Sequence, residues 1–253
     1  MTKIIFLHIP KTAGQSVHHF FETSFPKKEI FPARVNAQLQ NYTCDQMNYY
    51  KIFSGHFDWK SLECLNGEKF IFTILREPRE RIFSFYLYLR SQAKKMTPDT
   101  LIMPQYQGMH AALTLSPDDY FTNKSLPIRN FIDNHYDNFY TYYFAGKSYD
   151  SRQQLANEHI DNIFSKAIAN LKSLDKIYDI QNWEKLFDDI KQIYPSINIP
   201  NHKIHVNKGD LLRINDRHNI LKNLGATKKT FNRIDEFCKY DNQLYREFIT
   251  DIK

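Results

Sequence analysis

Ile4-Ile5-Phe6-Leu7-His8-Ile9, closed by Pro10 and followed by Lys11-Thr12-Ala13-Gly14-Gln15-Ser16, is the stretch that decides the fold. A short apolar run ended by proline predicts a strand buried on both faces, as in a parallel sheet. Val17, Phe20 and Phe21 then recur at helical spacing, so the unit reads as strand, tight loop, helix. Phe70-Ile71-Phe72-Thr73-Ile74-Leu75 repeats the pattern, with Arg76-Glu77 as the turn and Pro78 suited to a first helical position. The helix that follows buries Ile82, Phe85, Tyr86 and Leu89. Between the two units, Lys51-Ile52-Phe53-Ser54 predicts a short strand running into Gly55-His56.

Further along, Ile160, Ile163, Phe164, Ala167, Ile168 and Leu171 form an amphipathic stripe, followed by a strand over Lys176 to Ile180. A second stripe runs from Trp183 to Tyr194, and a last helix is expected over Lys228 to Phe248. Strands alternating with helices predict an α/β fold: a parallel sheet flanked by helices on both faces. Residues 92–126 have weak periodicity and three prolines, which predicts an irregular insertion or lid within a single domain over 1–253.

A chain of 253 residues with 42% hydrophobic content is long enough for such a domain with a full core. Its formal net charge of +6 points to an anionic partner without choosing one. Cys44, Cys64 and Cys238 contain no CxxC pair, so reduced, buried thiols are expected rather than a disulfide framework or a zinc site. With a core strand at residues 4–9 there is no room for a cleavable signal, and no run of about 18 apolar residues occurs. A cytoplasmic protein without a transmembrane segment is the expectation.

The first loop combines Lys11, Thr12, Ala13, Gly14, Gln15 and Ser16 at a strand-to-helix turn. Such a turn aims backbone N–H groups and the positive end of a helix dipole at one spot, which suits phosphate or sulfate. The order is not GxxxxGK[ST], because the lysine precedes the glycine and the first glycine is missing; a generic ATPase loses its main support. In the second unit Arg76 stands at a strand end, with Arg81 and Ser84 three residues apart on one helix face, opposite the buried stripe. A guanidinium and a hydroxyl so arranged can grip a second phosphate, although arginines at strand ends also serve as surface ion-pair partners.

HIPKTAGQS followed by FIFTILREPRERIFSFY resembles the carbohydrate sulfotransferases of the heparan sulfate 2-O and 6-O type. The resemblance implies a P-loop-like sheet and 3′-phosphoadenosine 5′-phosphosulfate (PAPS) as sulfuryl donor. Lys11 to Ser16 would then cradle the 5′-phosphosulfate, and Arg76 and Ser84 would hold the 3′-phosphate, with Arg81 on the motif's second arginine. Glu77 replaces the family's usual aspartate. Gly55-His56-Phe57-Asp58-Trp59 resembles the HADW segment of the 6-O enzymes, which makes His56 the implied catalytic base. Ser54 stands where the 2-O enzymes carry an additional histidine. His205-Val206-Asn207-Lys208-Gly209 is similar to the late loop that closes over the nucleotide, which places Lys208 and Gly209 on the cofactor.

These readings predict in-line transfer to a hydroxyl acceptor, a saccharide or polysaccharide, with His56 as base and Lys11 meeting charge on the bridging oxygen. No metal and no nucleic acid are expected to take part. An unperturbed His56 would make the rate rise through about pH 6 to 7, and His8 or Asp58 would be the next candidates for the base. His202 and His205 lack a nearby acidic or cysteine ligand and are read as a solvated loop. The aromatic crowd Phe131, Tyr136, Phe139, Tyr140, Tyr142, Tyr143 and Phe144 can stack on sugar, but core packing is its expected use. Two other classes stay open: a P-loop kinase or hydrolase, which would require magnesium and ATP, and a non-enzymatic domain binding RNA or another polyanion.

Overall fold

A computed structural model describes residues 2–199 and 214–250. The chain divides into two compact units: Met1–Arg76, Tyr142–Asp210 and Tyr245–Lys253 form one, and Glu77–Thr141 with Leu211–Leu244 the other, as far as these are described.

The first unit holds a four-stranded sheet of β1 (Lys3–Leu7), β2 (Ile52–Gly55), β3 (Lys69–Leu75) and β4 (Lys176–Asp179), in the order β2-β1-β3-β4. All three pairings are parallel, with Leu7 opposite Gly55 on one side and Thr73 on the other. Ile4, Phe6, Phe72, Ile74 and Tyr178 bury one face against Val17, Phe20 and Phe21 of α1 (Gly14–Ser24) and against Leu186 and Ile190 of the helix Leu186–Ile193. Ile5, Leu7, Phe53, Thr73 and Leu75 alternate with them and are equally buried. Each fully buried aliphatic or phenyl group contributes about 1.5–3 kcal/mol, so a sheet covered on both faces follows from its unbroken apolar strands. The first strand ends at Leu7, two residues before the predicted boundary, and His8 and Ile9 belong to the loop.

The second unit is helical. Its leading helix α2 (Pro78–Ala93) starts on Pro78, and the Glu77 carboxylate caps it by accepting from the N–H groups of Arg79 (3.2 Å) and Glu80 (2.7 Å). Residues 92–126, expected to be irregular, carry the short helices Pro98–Leu101, Gln107–Thr114 and Pro117–Phe121 and the 3-10 turn Pro104–Tyr106. The three prolines that looked like breakers each begin a helical segment, and Thr97 and Ser116 cap two of them. Tyr86, Tyr120, Phe121, Tyr136 and Phe237 fill this unit's core.

The single terminal helix expected over Lys228 to Phe248 is broken into Lys228–Phe237, Lys239–Tyr245 and a π turn at Arg246–Thr250. Asn138 explains the first break. Its N–H donates to the Phe237 carbonyl (2.7 Å), and its side-chain oxygen accepts from the Tyr240 N–H (2.7 Å), so the helical ladder is interrupted from outside.

The cysteine expectation is corrected. Cys44 and Cys64 form a disulfide with Cα atoms 6.0 Å apart, both exposed, and only Cys238 is a free, buried thiol. The loops on either side of β2 return to the same edge, where the Asn66 N–H donates to Asn48 Oδ1 (2.8 Å); linear spacing alone carries no sign of this meeting. No described helix is long and apolar enough to cross a membrane.

Candidate active site

Between β1 and α1 the backbone takes the left-handed conformation twice, at Lys11 (φ 73°) and Ala13 (φ 62°). Non-glycine residues held there cost roughly 1–3 kcal/mol each, so the surroundings must enforce the shape. Between them Thr12 is fully buried and its hydroxyl donates to the Ile9 carbonyl (2.9 Å). Gly14 opens α1 so close to His8 that a Cβ would fall on the imidazole ring. Ala13 gives α1 no side-chain cap, and no acidic residue lies in its first turn. A helix start without a carboxylate keeps its positive end for an anion.

Arg76 joins this loop to β3. β1 and β3 end side by side, where the Thr73 hydroxyl donates to the Leu7 carbonyl (2.9 Å), and the next residues out include Arg76. Its side chain is buried and donates to the Lys11 carbonyl (3.2 Å). The guanidinium therefore lies at the loop that holds Lys11.

His56 is brought in from the other side by register. Leu7 pairs with Gly55, so His8 and His56 are the next residues on adjacent parallel strands, and their rings stack with centroids 4.0 Å apart. His56 Nδ1 lies 3.0 Å from the His8 carbonyl and 3.1 Å from the Tyr149 hydroxyl, which itself donates to that carbonyl (2.6 Å). A carbonyl only accepts, so Nδ1 carries the proton and Nε2 keeps a lone pair. Burial pushes the His56 pKa down to about 4; the His8 carbonyl opposes this and Arg34 reinforces it. The 6-to-7 titration expected for an exposed ring is thereby corrected. His8 is driven well below the ordinary range, chiefly by burial, with His56 as the next cause. Asp58 acts at one remove from His56, since its carboxylate accepts from the Tyr149 N–H (2.8 Å) and so fixes the tyrosine that reaches His56.

Two sequence candidates belong to the helical unit. Arg81 and Ser84 were expected on a face opposite the buried stripe, but both are buried, since the first turns of α2 are covered nearly all round. Arg81 donates to the His135 carbonyl (2.9 Å) and lies over the Phe139 ring at 4.7 Å. Lys208 and Gly209, and the pair His202 and His205, lie outside the described residues. Among the described residues no cluster of histidine, cysteine or carboxylates is arranged to hold a metal. In the aromatic crowd Tyr136, Tyr140, Tyr143 and Phe144 are fully buried core, Phe139 is nearly so, and Tyr142 packs under Arg152.

Sequence reasoning missed Tyr149 and Arg34. Tyr149 carries no motif and lies 93 residues from His56. Arg34 meets His56 through its backbone, accepting from the His56 N–H (2.7 Å), which no side-chain pattern reveals.

A family model described as the sulfotransferase family matches residues 1–248. No curated protein matches the sequence.

Proposed function

Since the chain belongs to the sulfotransferase family, we propose that it moves a sulfuryl group from PAPS to a hydroxyl of a saccharide, with His56 as general base. The observation that carries this reading is His56 Nδ1 lying 3.0 Å from the His8 carbonyl, an arrangement that leaves Nε2 to accept a proton. A donor with a phosphosulfate at one end fits the first loop, which combines Lys11, an uncapped helix start and a glycine that tolerates no side chain. That donor would supply the activated sulfuryl group.

His56 Nε2 takes the hydroxyl proton as the acceptor oxygen bonds to sulfur and the bond from sulfur to the bridging oxygen breaks. Adenosine 3′,5′-bisphosphate leaves with that electron pair. Lys11, Ser16 and the first N–H groups of α1 meet the charge that grows on the bridging oxygen, a contribution made mainly in the transition state. Thr12, Ala13, Gly14 and Gln15 complete the cradle. The resemblance assigns the 3′-phosphate to Arg76 and Ser84, with Arg81 on the motif's second arginine. For Lys208 and Gly209, which lie outside the described residues, a contact with the nucleotide is what the resemblance implies. Both compact units serve one sulfotransferase domain over 1–253, a reading supported by a family match that runs through both. The exposed Cys44–Cys64 disulfide favours an oxidising compartment over the cytoplasm expected from the sequence.

The test is transfer of label from [³⁵S]PAPS to a panel of oligosaccharides. A general base contributes about 10²- to 10⁴-fold, so His56→Ala should lose that much turnover while binding adenosine 3′,5′-bisphosphate normally. Wild-type turnover in the folded mutant would make His56 structural.

A further inference from the structure

A base that takes a proton must carry the charge that comes with it, and the ring of His56 stands among groups that oppose one. Burial, and behind it the charge of Arg34, lowers its pKa, while the His8 ring stacked on it at 4.0 Å is itself neutral, driven well below the ordinary range. The Asp58 carboxylate is turned to the Tyr149 N–H rather than to the ring. What faces Nδ1, among the described residues, is a pair of uncharged oxygens: the His8 carbonyl at 3.0 Å and the Tyr149 hydroxyl at 3.1 Å.

That hydroxyl gives its own proton to the His8 carbonyl (2.6 Å), so toward Nδ1 it turns a lone pair, and donating one hydrogen bond strengthens the next that it accepts. Tyr149 is also held in this place. Its N–H is taken by Asp58 (2.8 Å), and its ring packs on Tyr143 with centroids 5.0 Å apart. The Tyr143 hydroxyl donates to the Phe57 carbonyl (2.9 Å) and the Lys60 N–H to the Lys147 carbonyl (3.2 Å). Residues 143–149 are thus laced to 57–60, directly after the base, within the sheet unit.

We propose that Tyr149 is the positioning residue of the base: its hydroxyl oxygen, beside the His8 carbonyl, holds Nδ1–H and stabilises the charge that forms on His56 when Nε2 takes the acceptor's proton. The assignment rests on the sulfotransferase reading above. In that step the proton of the acceptor hydroxyl moves to Nε2, while Nδ1 and Tyr149 each keep their own. A hydrogen bond to a charged ring is stronger than one to a neutral ring, so the contribution is made as the proton moves and belongs to kcat rather than to binding.

Tyr149→Phe tests this, because it keeps the ring that packs on Tyr143 and removes only the hydroxyl. kcat in label transfer from PAPS should fall about tenfold, the lower end for one hydrogen bond to a charged group, with affinity for adenosine 3′,5′-bisphosphate and the acceptor KM unchanged. In a His56→Ala background the same substitution should cost nothing further, which a merely structural role would not produce. The charged fraction of the His56 ring, read by nitrogen-15 NMR at pH 4, should drop from about a half in the wild type to about a tenth. Wild-type kcat in Tyr149→Phe, or an equal loss with and without His56, overturns the assignment; if the wild type transfers label all the same, the sulfotransferase reading stands. If the wild type transfers no label, that reading falls, and the ring spectrum alone decides whether Tyr149 stabilises the charged ring: a drop upholds it and an unchanged fraction overturns it.

Discussion

Acidification should leave His56 active far below the pH at which an exposed histidine is lost. Desolvation dominates its depressed pKa, the His8 carbonyl partly restores it and Arg34 lowers it again, with a value of about 4. At pH 5.5 such a ring is about 97% neutral, against about 9% for an imidazole of pKa 6.5. kcat/KM should therefore stay level from pH 8 down to about 5.5 and fall to half near 4. Stability follows the same sign: between about pH 4 and 6.5 the unfolded chain binds a proton that the folded one refuses. This group alone then removes about 1.4 kcal/mol for each pH unit of acidification through that window. The assay is label transfer measured from pH 3.5 to 8, with samples returned to pH 7 to verify that the fold survived. A parallel NMR titration follows the His56 ring protons, assigned with His56→Asn. A midpoint near 6.5 in both would mean a solvated ring and would refute the reasoning from burial.

Other expectations follow from single contacts. Gly14→Ala places a methyl group on the His8 ring and should cost about 1–3 kcal/mol in a urea melt while weakening adenosine 3′,5′-bisphosphate binding; a variant that keeps wild-type affinity would argue against a tight loop. Arg76→Ala should raise the dissociation constant for that bisphosphate about tenfold to a hundredfold, with a much smaller effect on adenosine 5′-phosphosulfate, which lacks the 3′-phosphate. Replacing Cys44 and Cys64 by serine opens a link across 20 residues and should cost about 3 kcal/mol; thiol titration of the wild type should detect only Cys238, and only after unfolding.

The sheet was legible because a strand buried on both faces leaves an unbroken apolar run, and β1 and β3 carry one each. The loop after β1 was legible for the same reason: its lysine, glycine and hydroxyls sit between a clear strand and a clear helix. His56 was visible as a residue but not in its environment, because its burial and its tautomer depend on His8, Arg34 and Tyr149, which reach it through backbone atoms and distant segments. Prolines misled between 92 and 126, where they open helices that local polarity disguised. The break after Phe237 was invisible because its cause, Asn138, lies 99 residues earlier, and the disulfide depended on two loops meeting beyond β2.

The central claim, that the loop from Lys11 to Ser16 and Arg76 serve a 3′-phosphorylated adenine nucleotide, is tested most directly by thermal unfolding with adenosine 3′,5′-bisphosphate or with magnesium-ATP. A specific ligand at 100 times its dissociation constant adds about 2.7 kcal/mol. The account predicts that stabilisation for the bisphosphate without magnesium, and its loss in Arg76→Ala. Equal or greater stabilisation by magnesium-ATP, or none by the bisphosphate, would contradict it.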